Sequence, residues 1–212
     1  MIAAVCFCVL AYLAGVRRER FLRYWTWAWA FLVLRQICNI VWGSPFPSPW
    51  AGDASAFMRM AFAGCILAGV EELRGRRVDF RLVFGSAALF VAAKVVADPI
   101  YTIRTGVAVN LGAMMLLMLV ASWRLGTYRS LPNAERALAS IALAIYAVLT
   151  AVMPLLPDGP GSRLLTNFFF MSWTAQLCIG IGMLALFFRA SYEAELRAEQ
   201  KHAASLTEAL QD

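Results

Sequence analysis

The stretch "FLRYWTWAWAFLVLRQICNIVW", from Phe21 to Trp42, decides the fold class. Read as a helix rising ~1.5 Å per residue, it is long enough to cross the ~30 Å hydrocarbon core of a bilayer. Its flaw as a span is polar. Arg35, Gln36 and Asn39 stand well inside it. An intramembrane charge costs about 2.5–3.5 kcal/mol on insertion scales and needs a partner, a wet cavity or a route to the headgroups.

The rest of the chain has the same character. Of 212 residues, 61% are hydrophobic and 15% charged, and the mean hydropathy is +0.67. Soluble domains carry about 25% charge, so this composition points to lipid as the solvent. Seven apolar segments are predicted, at 1–16, 21–43, 54–72, 80–97, 105–122, 135–156 and 164–188. Their short connections predict an all-α, seven-transmembrane, up-and-down helical bundle, because backbone polar groups cannot face lipid unpaired. The N-terminus has neither a basic region nor a small-residue cleavage site and reads as a first span rather than a signal peptide.

Lys and Arg number 19 against 13 for Asp and Glu. In a chain this apolar, the excess marks loops rather than a nucleic-acid surface. Arg17, Arg18, Arg20 and Arg23 follow the first segment, and Arg74, Arg76, Arg77 and Arg81 the third. Arg124, Arg129 and Arg136 follow the fifth, and Arg189, Arg197 and Lys201 the seventh. The intervening loops hold only Arg104 and Arg163. The positive-inside rule then predicts an outer N-terminus and a cytoplasmic C-terminus. The excess of Arg over Lys and the abundance of Ala suggest a bacterial gene, and with it a bacterial inner membrane.

Catalytic and metal-binding signals are sparse. The only histidine, His202, lies in the tail, which excludes a bis-histidine haem in the bundle, and its context "KHAASLTEAL" reads as a solvated helix. Residues 163–189 hold no lysine for a retinal Schiff base. Cys6, Cys8, Cys38, Cys65 and Cys178 form no CxxC pair and read as buried apolar thiols. No catalytic residue, metal or cofactor is expected.

The candidate ligand-binding residues are therefore the polar ones predicted for the outer half: Arg35, Gln36, Asn39, Arg59, Lys94, Asn110 and Asn167, with Trp173 and Gln176 on one face of the last span. For some of them a structural role explains as much. Lys94 and Asp98, spaced i,i+4, read as an ion pair. Arg59 can reach Asp53 or the headgroups. Trp25, Trp27, Trp29 and Phe31 read as interface anchors and packing. Arg35 has no acid at matching depth within the spans. It is either interhelical glue or the floor of a site for a small anionic or polar ligand.

Beyond the last span, "FFRASYEAELRAEQKHAASLTEALQD" contains no Gly or Pro. Arg189, Tyr192, Leu196, Glu199, Ala203, Leu206 and Leu210 follow 3,4 spacing, the seam of a parallel coiled coil. The predicted organisation is a transmembrane domain over 1–188 and a cytoplasmic signalling helix over 189–212, with Leu196, Ala203, Leu206 and Leu210 as the dimer seam.

The inner-edge segment "RRERFLRYWTWAWAFLVLRQ", five further spans, and the exit helix "FRASYEAELRAEQKHAASLTEAL" together resemble the N-terminal sensor region of bacterial signalling proteins. These are multi-span histidine kinases and diguanylate cyclases. The resemblance implies a homodimer whose last span drives a cytoplasmic coiled coil. It also implies an output domain that this sequence lacks, so the chain looks like a fragment. The partners expected are the bilayer, a second copy and a small ligand, with no nucleic acid. The alternative is a small transporter or permease for a polar or anionic solute, which also uses intramembrane charge.

Overall fold

A computed structural model describes residues 2–17, 19–42, 49–97, 103–128, 133–152 and 163–209. Among these the chain is helical without a strand, in seven helices: α1 (Ile2–Arg17), α2 (Arg20–Trp42), α3 (Pro49–Leu73), α4 (Phe80–Ala97), α5 (Ile103–Gly126), α6 (Asn133–Val152) and α7 (Arg163–Ala209). Four are long and apolar enough to cross a membrane: α3, α5, α6 and α7. Of the others, α1 is shorter, and α2 carries Arg20, Arg23 and Arg35.

Helices consecutive in sequence pack on one another, except that α5 packs on α3 rather than on α4. The last turns of α3 meet the first of α2, where Gly69 lies against the Trp25 indole. The end of α5 meets the start of α6 through Ser122 and Ser140, each hydroxyl donating to the other's backbone carbonyl, at 2.8 and 3.0 Å. On α7, Gly182 faces Ala139 of α6, and Gly180 faces Cys6 of α1 and Trp29 of α2. Small residues let these backbones approach closely, which is where van der Waals packing between membrane helices comes from. α3 is central, touching α2, α4 and α5, while α4 packs on α3 and leaves much of its surface exposed.

The bundle thus has two ends. At one, α1, α3 and α5 end and α2, α4 and α6 begin, and α7 continues past it. At the other, α2, α4 and α6 end and α3, α5 and α7 begin. The first is the arginine-rich end by sequence.

At the arginine-rich end the local chemistry is well specified. α3 stops at Gly75, whose φ of +80° favours a residue without Cβ. Gly75 N–H donates to Glu72 O and Arg76 N–H to Glu71 O, both at 2.9 Å, the paired bonds of a Schellman stop. α4 restarts at once, with the Asp79 carboxylate accepting from Arg81 N–H at 2.9 Å as an N-cap.

The aromatics of α2 divide between packing and surface. Tyr24, Trp25 and Trp29 are fully buried in the core, as the packing reading expects of the two tryptophans, and Trp27 remains half-exposed. Tyr24 stacks on Phe80 with centroids 4.1 Å apart and donates its hydroxyl to Val78 O at 2.6 Å. Trp29, Phe62 and Tyr146 form an edge-to-face layer across α2, α3 and α6, with centroid distances of 6.4 and 6.1 Å.

Candidate functional site

The inward stripe of α2 runs Leu22, Trp25, Trp29, Leu32, then Gln36 and Asn39, at the 3,4 spacing that keeps residues on one helix face. Its first four members are buried and apolar. Its last two are partly buried amides, and Arg35 lies beside them, also partly buried. The stripe changes from apolar to polar just beyond the aromatic layer, towards the arginine-poor end.

The neighbouring helices change at the same height. On α3, Arg59 precedes Phe62 by one turn, and Ser55 precedes Arg59 by another. On α7, Gln176 lies one turn before Gly180, which touches Trp29. On α6, Tyr146 belongs to the layer itself, and Gln176 Nε2 lies 3.4 Å from its hydroxyl. Arg35 and Arg59 are within electrostatic range of each other and of Tyr146. Four helices therefore converge on two guanidinium groups, a phenol and an amide.

These groups are poorly satisfied. The Nε atoms of Arg35 and Arg59, the Ser55 hydroxyl and the Gln176 Oε1 are all buried without a hydrogen-bond partner. Among the described residues neither arginine forms an ion pair. Asn110 of α5, 0% exposed, has both amide atoms buried and unpartnered. A buried polar group without a partner costs roughly 1–3 kcal/mol.

The acid nearest in sequence to Arg59 is engaged elsewhere. Asp53 accepts from Lys94 Nζ at 2.8 Å, pinning the end of α4 to α3. Asp53 is thus the partner of Lys94 rather than of Arg59. The pairing of Lys94 with Asp98 falls on a residue outside those described, as does Leu210 of the seam. The side chains of Asn167, Arg104 and Leu206 are likewise outside the described set.

Of the residues singled out in the sequence, Arg35, Arg59 and Gln176 come together. Gln36 and Asn39 continue the same stripe. Trp173 does not join Gln176: it is 54% exposed, whereas Gln176 is 6% exposed. Tyr146 was missed. Its only sequence signal is a hydroxyl in the apolar run "ASIALAIYAVLT", with Thr150 one turn on.

The opposite end is a contrast in charge. Glu71 lies 3.5 Å from both Arg74 and Arg124 and 3.6 Å from Arg76. Glu72, largely buried, lies 3.4 Å from Arg20 and accepts from Val78 N–H at 2.8 Å. Further out, Arg17 at the end of α1 pairs with Glu195 on α7 at 2.9 Å. Tyr192, Leu196, Glu199 and Ala203, on the predicted seam, are exposed. His202 is exposed on the same helix, and no group of metal-binding side chains occurs among the described residues. Compared with family models, curated proteins and solved structures, the chain matches none of them.

Proposed function

We propose that the chain is the membrane-embedded input module of a bacterial signalling protein, working as a homodimer and delivering its signal to a cytoplasmic kinase or cyclase. In this scheme all seven helices cross the inner membrane, with the N-terminus outside and the arginine-rich end in the cytoplasm. The observation that carries it is α7. One unbroken helix of 47 residues, about 70 Å long, contributes Gln176 to the polar centre and continues far past the arginine-rich end. A bilayer accounts for only ~30 Å of that length. Occupancy of the polar centre would shift or rotate α7 between two packings, and the exposed seam would carry the motion to its partner.

A transporter would need a polar track through to the other face. Here the path from the polar centre meets the buried Trp29, Phe62 and Trp25, and beyond them the glutamate-locked arginines. That closed, apolar middle favours an input module over a permease.

Cysteine chemistry in native membranes tests the proposal. On a cysteine-free background, Gly75→Cys and Ser205→Cys should react with a membrane-impermeant reagent only after the cytoplasmic face is opened. Ala203→Cys should cross-link between two chains more readily than Lys201→Cys. Reaction of Gly75→Cys from outside refutes the orientation, and equal cross-linking at 201 and 203 refutes the dimer seam.

A further inference from the structure

We infer that the polar centre is a binding site for an oxyanion, a carboxylate or phosphate group held between Arg35 and Arg59 with Tyr146 and Gln176 beside it. The inference deepens the input-module proposal by naming what its polar centre recognises.

The first ground is charge. Three cations lie towards the arginine-poor end in α2, α3 and α4, but Lys94 is neutralised by Asp53 at 2.8 Å. That leaves Arg35 and Arg59, like charges within range of each other and without a carboxylate among the described residues. Two unneutralised guanidinium groups in a lipid-embedded bundle are costly. An anion between them offsets their repulsion and gives the two guanidinium groups a counter-charge to share.

The second ground is geometry. Both arginines bury an unpartnered Nε–H while part of each side chain stays exposed. The Nε/Nη edge of a guanidinium is a planar donor fork that matches a carboxylate or phosphate in bidentate fashion. Two such edges, on α2 and α3, suit an oxyanion better than a halide, which offers no second acceptor atom to the fork. The Tyr146 hydroxyl and the unsatisfied Gln176 amide oxygen, on α6 and α7, add hydrogen-bonding capacity for the rest of the ligand.

The third ground is access. Arg35 lies about two turns, roughly 10 Å, from the end of α2 at Trp42. Part of each arginine side chain is exposed, so two sources of the anion fit that depth: a free oxyanion, and a phospholipid phosphate drawn down from the headgroup layer. They share the same chemistry and differ in source.

The test uses the full chain in delipidating detergent. Thermal unfolding is followed in sodium acetate, sodium phosphate and sodium chloride at equal ionic strength, and retained phospholipid is measured as phosphorus per chain. Variants are Arg35→Gln and Arg59→Gln, which keep a polar side chain, and Lys94→Gln as a control outside the site. A midpoint raised by several degrees in acetate or phosphate over chloride, kept in Lys94→Gln and lost in both arginine variants, establishes a soluble oxyanion ligand. About one phospholipid retained per chain in wild type and lost in both arginine variants, with no response to either salt, establishes a lipid phosphate. Absence of both effects, or effects that persist in Arg35→Gln and Arg59→Gln, overturns the inference. Cross-linking at Ala203→Cys in the same preparation separates the two proposals. Intact anion binding with no preference for 203 over 201 leaves the site standing and removes the input module.

Discussion

The two ends of the bundle treat arginine in opposite ways. At the arginine-rich end, Glu71 lies within ion-pair distance of three arginines, two in the turn after α3 and one on α5, and Glu72 ties Arg20 to the turn that follows α3. Beneath them the Trp25 indole packs against Gly69, and Tyr24 reaches Val78 O. At the other end the single described acid near the arginines is taken by Lys94, and Arg35 and Arg59 stay without a counter-charge. The same residue type is paired with glutamate in one place and faces its own kind in the other. Neutralised cations hold helices together. Cations left unpaired at a convergence of four helices are better suited to holding something that comes and goes.

That contrast makes stability predictions that fall from one end to the other. The largest loss is expected for Glu71→Gln, which strands Arg74, Arg76 and Arg124 facing one another. We expect about 2 kcal/mol by thermal or denaturant unfolding in detergent, below the ~3–5 kcal/mol of a fully buried pair because Arg76 and Arg124 keep contact with solvent. A neutral outcome would mean that the glutamate hub is only a surface ornament.

Asp53→Asn should cost less, on the order of 1–2 kcal/mol, because a single ion pair between α3 and α4 is broken. The double variant Asp53→Asn with Lys94→Gln should recover part of that loss, and a double-mutant cycle measures the coupling. Strict additivity of the two single variants would show that Lys94 is not neutralised by Asp53 and would return it to the polar centre.

Arg17→Ala removes the exposed bond to Glu195 and should cost less than ~1 kcal/mol, with the effect fading at high salt. Its informative readout is the exit helix: cross-linking at Ala203→Cys should change in rate even though the melting midpoint barely moves. A pair that serves only as a surface contact would alter neither.

The smallest effect on stability is expected at Arg35. Arg35→Leu removes an uncompensated charge and should leave the midpoint unchanged or slightly raised in the absence of oxyanion. A loss comparable to that of Glu71→Gln would collapse the contrast and make Arg35 a structural tie between helices.

Sequence by itself determined the helical segments and the two ends. Runs of apolar residues near twenty long must bury their backbone bonds internally, and the described helices coincide with the predicted segments to within a few residues at most boundaries. The clustering of arginines into alternate connections needs no tertiary information either. Arg35, Gln36 and Asn39 were legible as an anomaly because a charge inside an apolar run is locally visible.

Only the tertiary structure decided which polar groups meet. Lys94 finds Asp53, 41 residues away, because α4 packs on α3, and helix–helix partnership is not encoded in spacing along one helix. Trp173 and Gln176 were expected together because i,i+3 residues lie on neighbouring sides of a helix, yet that separation is wide enough for the edge of a contact to fall between them. Tyr146 was hidden because a tyrosine in an apolar span reads as packing. Its role follows from standing opposite Phe62 and Gln176, two side chains on different helices. In a chain whose helices are apolar on nearly every face, periodicity cannot say which face turns inward. That orientation is set by small residues that admit a neighbouring backbone, such as Gly69 against Trp25 and Gly180 against Cys6 and Trp29, and so by the packed bundle itself.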